Sequence, residues 1–140
     1  MINSWRQHTR YIRAAALVTV LLGGFGGRLA AQEPTVTPLM AKALANIPGK
    51  EVVMITVEYA PGGADPVHRH NANAFIYVLE GSIVMQVRGG QPVTLHPGQI
   101  FYEGPDDIHV VGRNASSTRP ATFLVFLLKD VGKPPVLPAQ

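Results

Sequence analysis

Short runs of Val, Ile, Phe, Tyr and Thr are cut again and again by glycine and proline, and this punctuation most limits what the chain can fold into. With 14 Gly and 12 Pro in 140 residues, the chain must turn often. β-Branched and aromatic runs between frequent turns predict an all-β fold. The length suits one domain with a real core and is too short for two. A hydrophobic content of 46% against 15% charged residues indicates a globular chain rather than a disordered one.

About eight strands follow from the pattern. Glu51 to Ala60 alternates, with Val53, Ile55, Val57 and Tyr59 on one face, and ends at Pro61-Gly62-Gly63. Val67 to His70, Phe75 to Glu80 and Ile83 to Arg88 come next, and Gly89-Gly90 suits a hairpin turn. Val93 to His96, Gln99 to Glu103, Ile108 to Arg113 and Ala121 to Lys129 complete the set. Close, regular spacing of this kind belongs to a sandwich or barrel. Ahead of the strands, Thr37-Pro38 followed by Leu39 to Asn46 predicts a short N-terminal helix, with Thr at the cap and Pro in the first turn. The organisation is therefore 1–31 as a leader, 32–50 as a lead-in with the helix, 51–130 as the barrel, and 131–140 as an irregular, proline-rich tail.

The leader carries the charge imbalance. Arg6, Arg10, Arg13 and Arg28 lie in residues 1–31, which hold no acid. From Gln32 onward, 8 basic residues face 9 acidic ones, a near-neutral body that gives no reason to expect nucleic acid or anionic membrane as a partner. Arginines, then the 14-residue apolar run Ala14 to Gly27, then Leu29-Ala30-Ala31 form the layout of a Sec-type secretory signal peptide cut after Ala31. The run is shorter than the roughly 20 residues a spanning helix needs, so no membrane contact is expected after cleavage. The absence of Cys excludes disulfides, thiol chemistry and lipoprotein attachment. A bacterial periplasmic or secreted location is the resulting expectation.

Three of the five histidines carry the chemistry. His68 and His70 lie two apart on one strand, so period-2 geometry puts both imidazoles on one face. His109 opens another strand about 40 residues later, close enough to join them once a sheet closes. Three neutral imidazoles suit Fe, Mn, Zn, Ni or Cu and leave coordination positions open. A His-x-His pair alone is weak, because paired histidines on an exposed strand usually do nothing special. His8 lies in the leader, and His96, before a Pro-Gly turn, reads as a surface residue.

The frame around these histidines is specific. Gly62 precedes His68 by six positions, His70 follows, and FIYVLEG reaches Gly81. Gly98, His109 and Asn114 follow in order, with Asn114 one residue late. The two blocks, spanning Ala60 to Asn114, resemble the two motifs of the cupin superfamily, as in its small single-domain (type-2) members. The resemblance implies a jelly-roll β-barrel with a metal inside and substrate entering at one mouth. It also implies a homodimer formed by strand pairing, for which the long strands 51–60 and 121–129 could supply the edge.

Two departures stand out. Where the first motif places its Glu ligand this chain has Ala74, so the motif supplies three His at most. Glu103 could complete the site, carry protons beside it, or be a solvated edge residue, and exposed carboxylates are the norm. In the second motif Gly104-Pro105-Asp106 replaces Pro-x-Gly, which leaves the turn to Asp106. If position 74 faces inward, Ile76 and Val78 do too, and Gln86 or its neighbours Met85 and Val87 line the next strand. The cavity so sketched suits a small, largely apolar molecule. Three readings follow: a metal-dependent, dioxygenase-like small-molecule enzyme, a non-catalytic metal or ligand carrier, and a barrel with a vestigial His triplet.

Overall fold

The structure is a computed structural model that describes residues 32–139. The expected signal peptide at 1–31 lies outside the described residues. Ten strands run in chain order: β1 Thr35–Ala43, β2 Lys50–Tyr59, β3 His68–His70, β4 Ala72–Glu80, β5 Ile83–Val87, β6 Val93–Leu95, β7 Ile100–Glu103, β8 Ile108–Asn114, β9 Ala121–Asp130 and β10 Val136–Pro138. They form two five-stranded antiparallel sheets, ordered β1-β2-β9-β4-β7 and β10-β3-β8-β5-β6. Such a two-sheet, Greek-key arrangement is a jelly roll.

Strict alternation builds the core between the sheets. On β9, Ala121, Phe123, Val125 and Leu127 face in, and on β4, Ala72, Ala74, Ile76 and Val78 do. Val57 and Tyr59 of β2 join them, with Val53 and Ile55 packed against the cluster. Burying the Val, Ile, Leu and Phe side chains among them is worth about 1.5–3 kcal/mol each and fixes the register, because a one-residue slip would turn every one of them outward. Gly81, at φ +70°, lets β4 turn into β5, and a Cβ there would lie 2.5 Å from the Pro120 carbonyl oxygen.

Two expectations for the chain ends are corrected. Residues 39–46 form no helix: β1 occupies Thr35–Ala43 and pairs with β2 from Thr35↔Glu58 to Ala43↔Glu51. Leu-Met-Ala-Lys-Ala favours a helix locally, but the pairing offered by β2 overrides that preference. Pro38 is tolerated because β1 is an edge strand with a register shift between Pro38 and Met40. The tail is not wholly irregular, since Val136–Pro138 pairs with His68–His70. The Gly89-Gly90 turn is set one residue early, with the Gly90 N–H donating to the Val87 carbonyl at 3.0 Å.

Candidate metal centre

The register brings the histidines together. His68 and His109 are direct partners across β3 and β8, and His70 follows two residues along β3 on the same face. Their rings stack edge to face, with His68 4.8 Å from His70 and 4.9 Å from His109 between centroids. One nitrogen from each ring lies within 4.8 Å of the others. His68 and His109 are buried, and His70 is partly so.

Backbone carbonyls fix which nitrogen of each ring carries hydrogen. A carbonyl accepts only from an N–H, so the ring atom facing it must be protonated. His68 Nδ1 donates to the Pro66 carbonyl at 2.8 Å and His70 Nδ1 to the Pro135 carbonyl at 3.2 Å. His109 Nε2 donates to the Val111 carbonyl at 2.6 Å. With the other nitrogen of each ring so committed, His68 Nε2, His70 Nε2 and His109 Nδ1 are the atoms left to hold an ion. His68 Nε2 and His70 Nε2 stand 3.2 Å apart. Nitrogens that share one ion at about 2.1 Å each are separated by roughly 3–3.5 Å, so the pair fits a metal. Carbonyl-anchored imidazoles are also how metal-binding histidines are oriented. Burial, with the neighbouring His68, pushes His70 and His109 down to about 4, which keeps both neutral and ligand-ready near pH 7.

Glu103 is no solvated edge residue. It is 1% exposed, on the inward face of β7 directly opposite Ala74 of β4. Its Oε2 lies 3.5 Å from His70 Nε2 and its Oε1 3.3 Å from His109 Nδ1. Neither carboxylate oxygen has a hydrogen-bond partner, and nor does His109 Nδ1. Burial, aided by Asp107 and Asp65, raises the Glu103 carboxyl to about 7. Ala74 itself is fully buried and offers no ligand. Asn73 faces away and accepts a hydrogen bond from the Tyr102 hydroxyl at 2.8 Å.

The remaining motif residues support the site. Asn114 is buried, donates from Nδ2 to the Ala60 and Arg119 carbonyls at 3.0 and 2.8 Å, and accepts from the Ser116 N–H, so it clasps the end of β2 to the β8–β9 loop. The turn before His109 is pinned by Asp107 rather than Asp106, since Asp107 Oδ2 accepts from the Gly104 N–H at 2.7 Å. His96 is exposed and bonds Ser82 Oγ at 2.8 Å, away from the site. Gly112 lies under the His109 ring, where a Cβ would fall 2.7 Å from His109 Cε1 and 2.9 Å from the Tyr59 hydroxyl.

Sequence reasoning missed Asp65, Tyr59 and the tail. Asp65 lines the pocket and accepts the Tyr59 hydroxyl. Burial raises the Asp65 carboxyl, against the pull of Tyr59 and His68. A loop has no strand parity to reveal which way Asp65 points; its backbone N–H, donating to the Gly112 carbonyl at 2.8 Å, holds it there. The pocket itself has a volume of about 230 Å³. Ile55, Val57, Ile76, Met85, Phe123 and Val125 supply apolar walls, while Pro34, Val36 and Val136, from the two ends of the described chain, line it as well. Met85 takes the expected lining position, and Gln86 instead bonds the Gly90 carbonyl. No Lys or Arg is among the lining residues.

The cupin domain family matches residues 55–127, just over half of the chain. The chain belongs to that family. This cupin is similar in structure to the DMSP lyase DddQ from Ruegeria pomeroyi DSS-3, with 27% identity and a TM-score of 0.55 over 61% of this chain and 42% of the lyase. An oxalate oxidase in complex with the substrate analogue glycolate matches at 24% identity and a TM-score of 0.56, over 74% of this chain and 54% of that one. The cupin thus spans about half the length of either enzyme. A double-stranded β-helix protein from Klebsiella pneumoniae subsp. pneumoniae MGH 78578 matches more evenly, over 81% and 90% of the two chains, at 18% identity and a TM-score of 0.61. A search of curated proteins found no match.

Proposed function

We propose that this cupin is an exported, metal-dependent enzyme that acts on a small, largely apolar molecule by an oxygenase-like reaction, in the periplasm or outside the cell. The observation that carries this reading is the convergence of three imidazole lone pairs, each ring anchored through its other nitrogen to a backbone carbonyl. His68, His70 and His109 would hold a divalent transition ion, Fe, Mn, Zn, Ni or Cu. Such an ion supplies Lewis acidity and open positions for substrate or oxygen. The apolar walls exclude water and orient the substrate, and they provide no Lys or Arg to bind an acid. Asp65, at the pocket wall and accepting the Tyr59 hydroxyl, is placed to take or return a proton. The likeness to a lyase and an oxidase supports small-molecule chemistry while keeping a lyase reaction as the alternative to oxygenation.

A homodimer forms part of the proposal, by a different route from strand pairing. β2 and β9 are both interior strands of their sheet and have no free edge. The outer face of that sheet instead exposes Phe75, Tyr77, Ile100 and Tyr102, next to Leu124 and Phe126. These side chains present roughly 400 Å² of apolar surface. An uncharged patch meets its own copy across a twofold axis without like-charge repulsion.

Elemental analysis of the protein from Gln32 onward, beside His68→Ala/His70→Ala, tests the centre. One metal per chain in the first and none in the second is expected. No metal in either, after incubation with all five ions, would sink the metalloenzyme. Oxygen uptake over a panel of small apolar substrates then separates an enzyme from a carrier.

A further inference from the structure

We propose that Glu103 is the fourth protein ligand of this metal, a carboxylate delivered from β7 to the place that Ala74 leaves empty on β4. The inference rests on the three-His reading above and extends it to the ligand set, which decides the charge of the site.

The argument is one of unmatched lone pairs. Glu103 is buried, and both its oxygens lack a hydrogen-bond partner. The polar atoms they face are His70 Nε2 at 3.5 Å and His109 Nδ1 at 3.3 Å. Neither nitrogen has a hydrogen to give, because each ring has committed its proton to a carbonyl, of Pro135 and of Val111 respectively. His68 Nε2 lies 3.2 Å from His70 Nε2 on the same side. The Glu103 oxygens and the His70 and His109 nitrogens that they face therefore converge with no donor among them. A proton on Glu103 would satisfy one neighbour and leave the others opposed. A cation reconciles all of them at once, and the separations are those of ligands that share an ion. An unsatisfied buried carboxylate is otherwise costly, by several kcal/mol.

The topology explains how the carboxylate arrives. Ala74 and Glu103 are Cα partners on adjacent antiparallel strands, so their side chains project to the same side of the sheet. Alanine at 74, fully buried, makes room for the longer side chain opposite. The ligand has changed strand without changing its destination. With Glu103 ionised, a divalent ion and one carboxylate leave the centre with a single net positive charge, lower than three neutral imidazoles alone would give. A carboxylate oxygen also favours harder ions such as Mn²⁺ over Cu²⁺.

The test uses Mn²⁺, Zn²⁺ and Cu²⁺ as probes, with affinities read by competition against a chromophoric chelator. The proteins are the wild type from Gln32 onward, Glu103→Gln, Glu103→Ala, and the transposed pair Ala74→Glu/Glu103→Ala. Glu103→Gln is expected to weaken Mn²⁺ binding roughly 100-fold or more and Cu²⁺ binding markedly less. The transposed variant is expected to recover Mn²⁺ affinity to within about tenfold of wild type. Melting of the metal-free variants checks the fold independently, and Glu103→Gln should melt no lower than wild type at pH 8. Glu103→Gln that binds all three ions within threefold of wild type would overturn the ligand role while leaving the three-His centre standing. A wild type that binds none of them, and neither Fe²⁺ nor Ni²⁺, would overturn both.

Discussion

Residue by residue, this centre is built from groups that suit one another only around a cation, and their protonation is measurable. The Glu103 carboxyl is raised to about 7 by burial. Between its ordinary value of 4.5 and about 7, the folded metal-free protein holds a proton there that the unfolded chain has released. Folding stability contributed by this residue therefore falls as pH rises through that window. Glu103→Gln removes the effect, so the metal-free variant should gain on wild type from pH 4.5 to 7, by up to about 3 kcal/mol, and then level off. His70 and His109, lowered to about 4, act in the opposite sense: their contribution is lost as pH falls from 6.5 toward 4. Urea titrations of both proteins at half-unit pH steps would read the difference, and a gap that stays constant with pH would contradict the raised carboxyl. Gly112 gives a steric prediction at the same scale. Gly112→Ala drives a methyl against the His109 ring and the Tyr59 hydroxyl. It should cost about 1–3 kcal/mol of stability in the same titrations and weaken metal binding as well, because the displaced ring is one of the three proposed ligands.

Among the elements, the terminal strands matter more to the site than their length suggests. β10 is three residues long, yet the Pro135 carbonyl beside it accepts both His70 Nδ1 and the Asn71 N–H. Ending the chain after Lys133 should weaken metal affinity about 10–100-fold with little change in the far-ultraviolet spectrum. An unchanged affinity would show that His70 holds its orientation without the tail. Much of the architecture was legible, because β2 alternates, β4, β5, β8 and β9 are rich in β-branched and aromatic residues, and most of the turns between them carry Gly or Pro. The histidines were legible for the same reason, as period 2 aligns His68 with His70. β1 was hidden by a helix-favouring composition and β10 by its prolines. Glu103 was hidden by the sheet itself. Along β7 the outward positions are Ile100, 74% exposed, and Tyr102, while the buried position is the glutamate. Where the outer face is apolar too, alternation of hydrophobicity no longer tells inside from outside.

At the scale of the molecule, Phe75, Tyr77, Ile100 and Tyr102 are exposed together on the outer face of the β1-β2-β9-β4-β7 sheet. There Phe75 packs its ring 5.2 Å from Tyr102 and 5.9 Å from Phe126. A contiguous aromatic patch of this kind is the surface on which the proposed dimer would pack. Light scattering at micromolar concentration is expected to give the mass of a dimer for wild type and of a monomer for Phe75→Lys/Tyr102→Lys. The double variant should keep its metal, because neither side chain lines the metal pocket. A wild type that stays monomeric at 100-fold higher concentration would remove the dimer. The tail holds a further consequence for the molecule in its surroundings. Through the Pro135 carbonyl, His70 joins β10 to the candidate centre, so a bound ion would tie down a strand only three residues long. Under the proposed export the chain would meet peptidases. Cleavage beside β10 would then act as a clock that runs fast on empty copies and slowly on loaded ones, and the population that survives would be the one that carries metal.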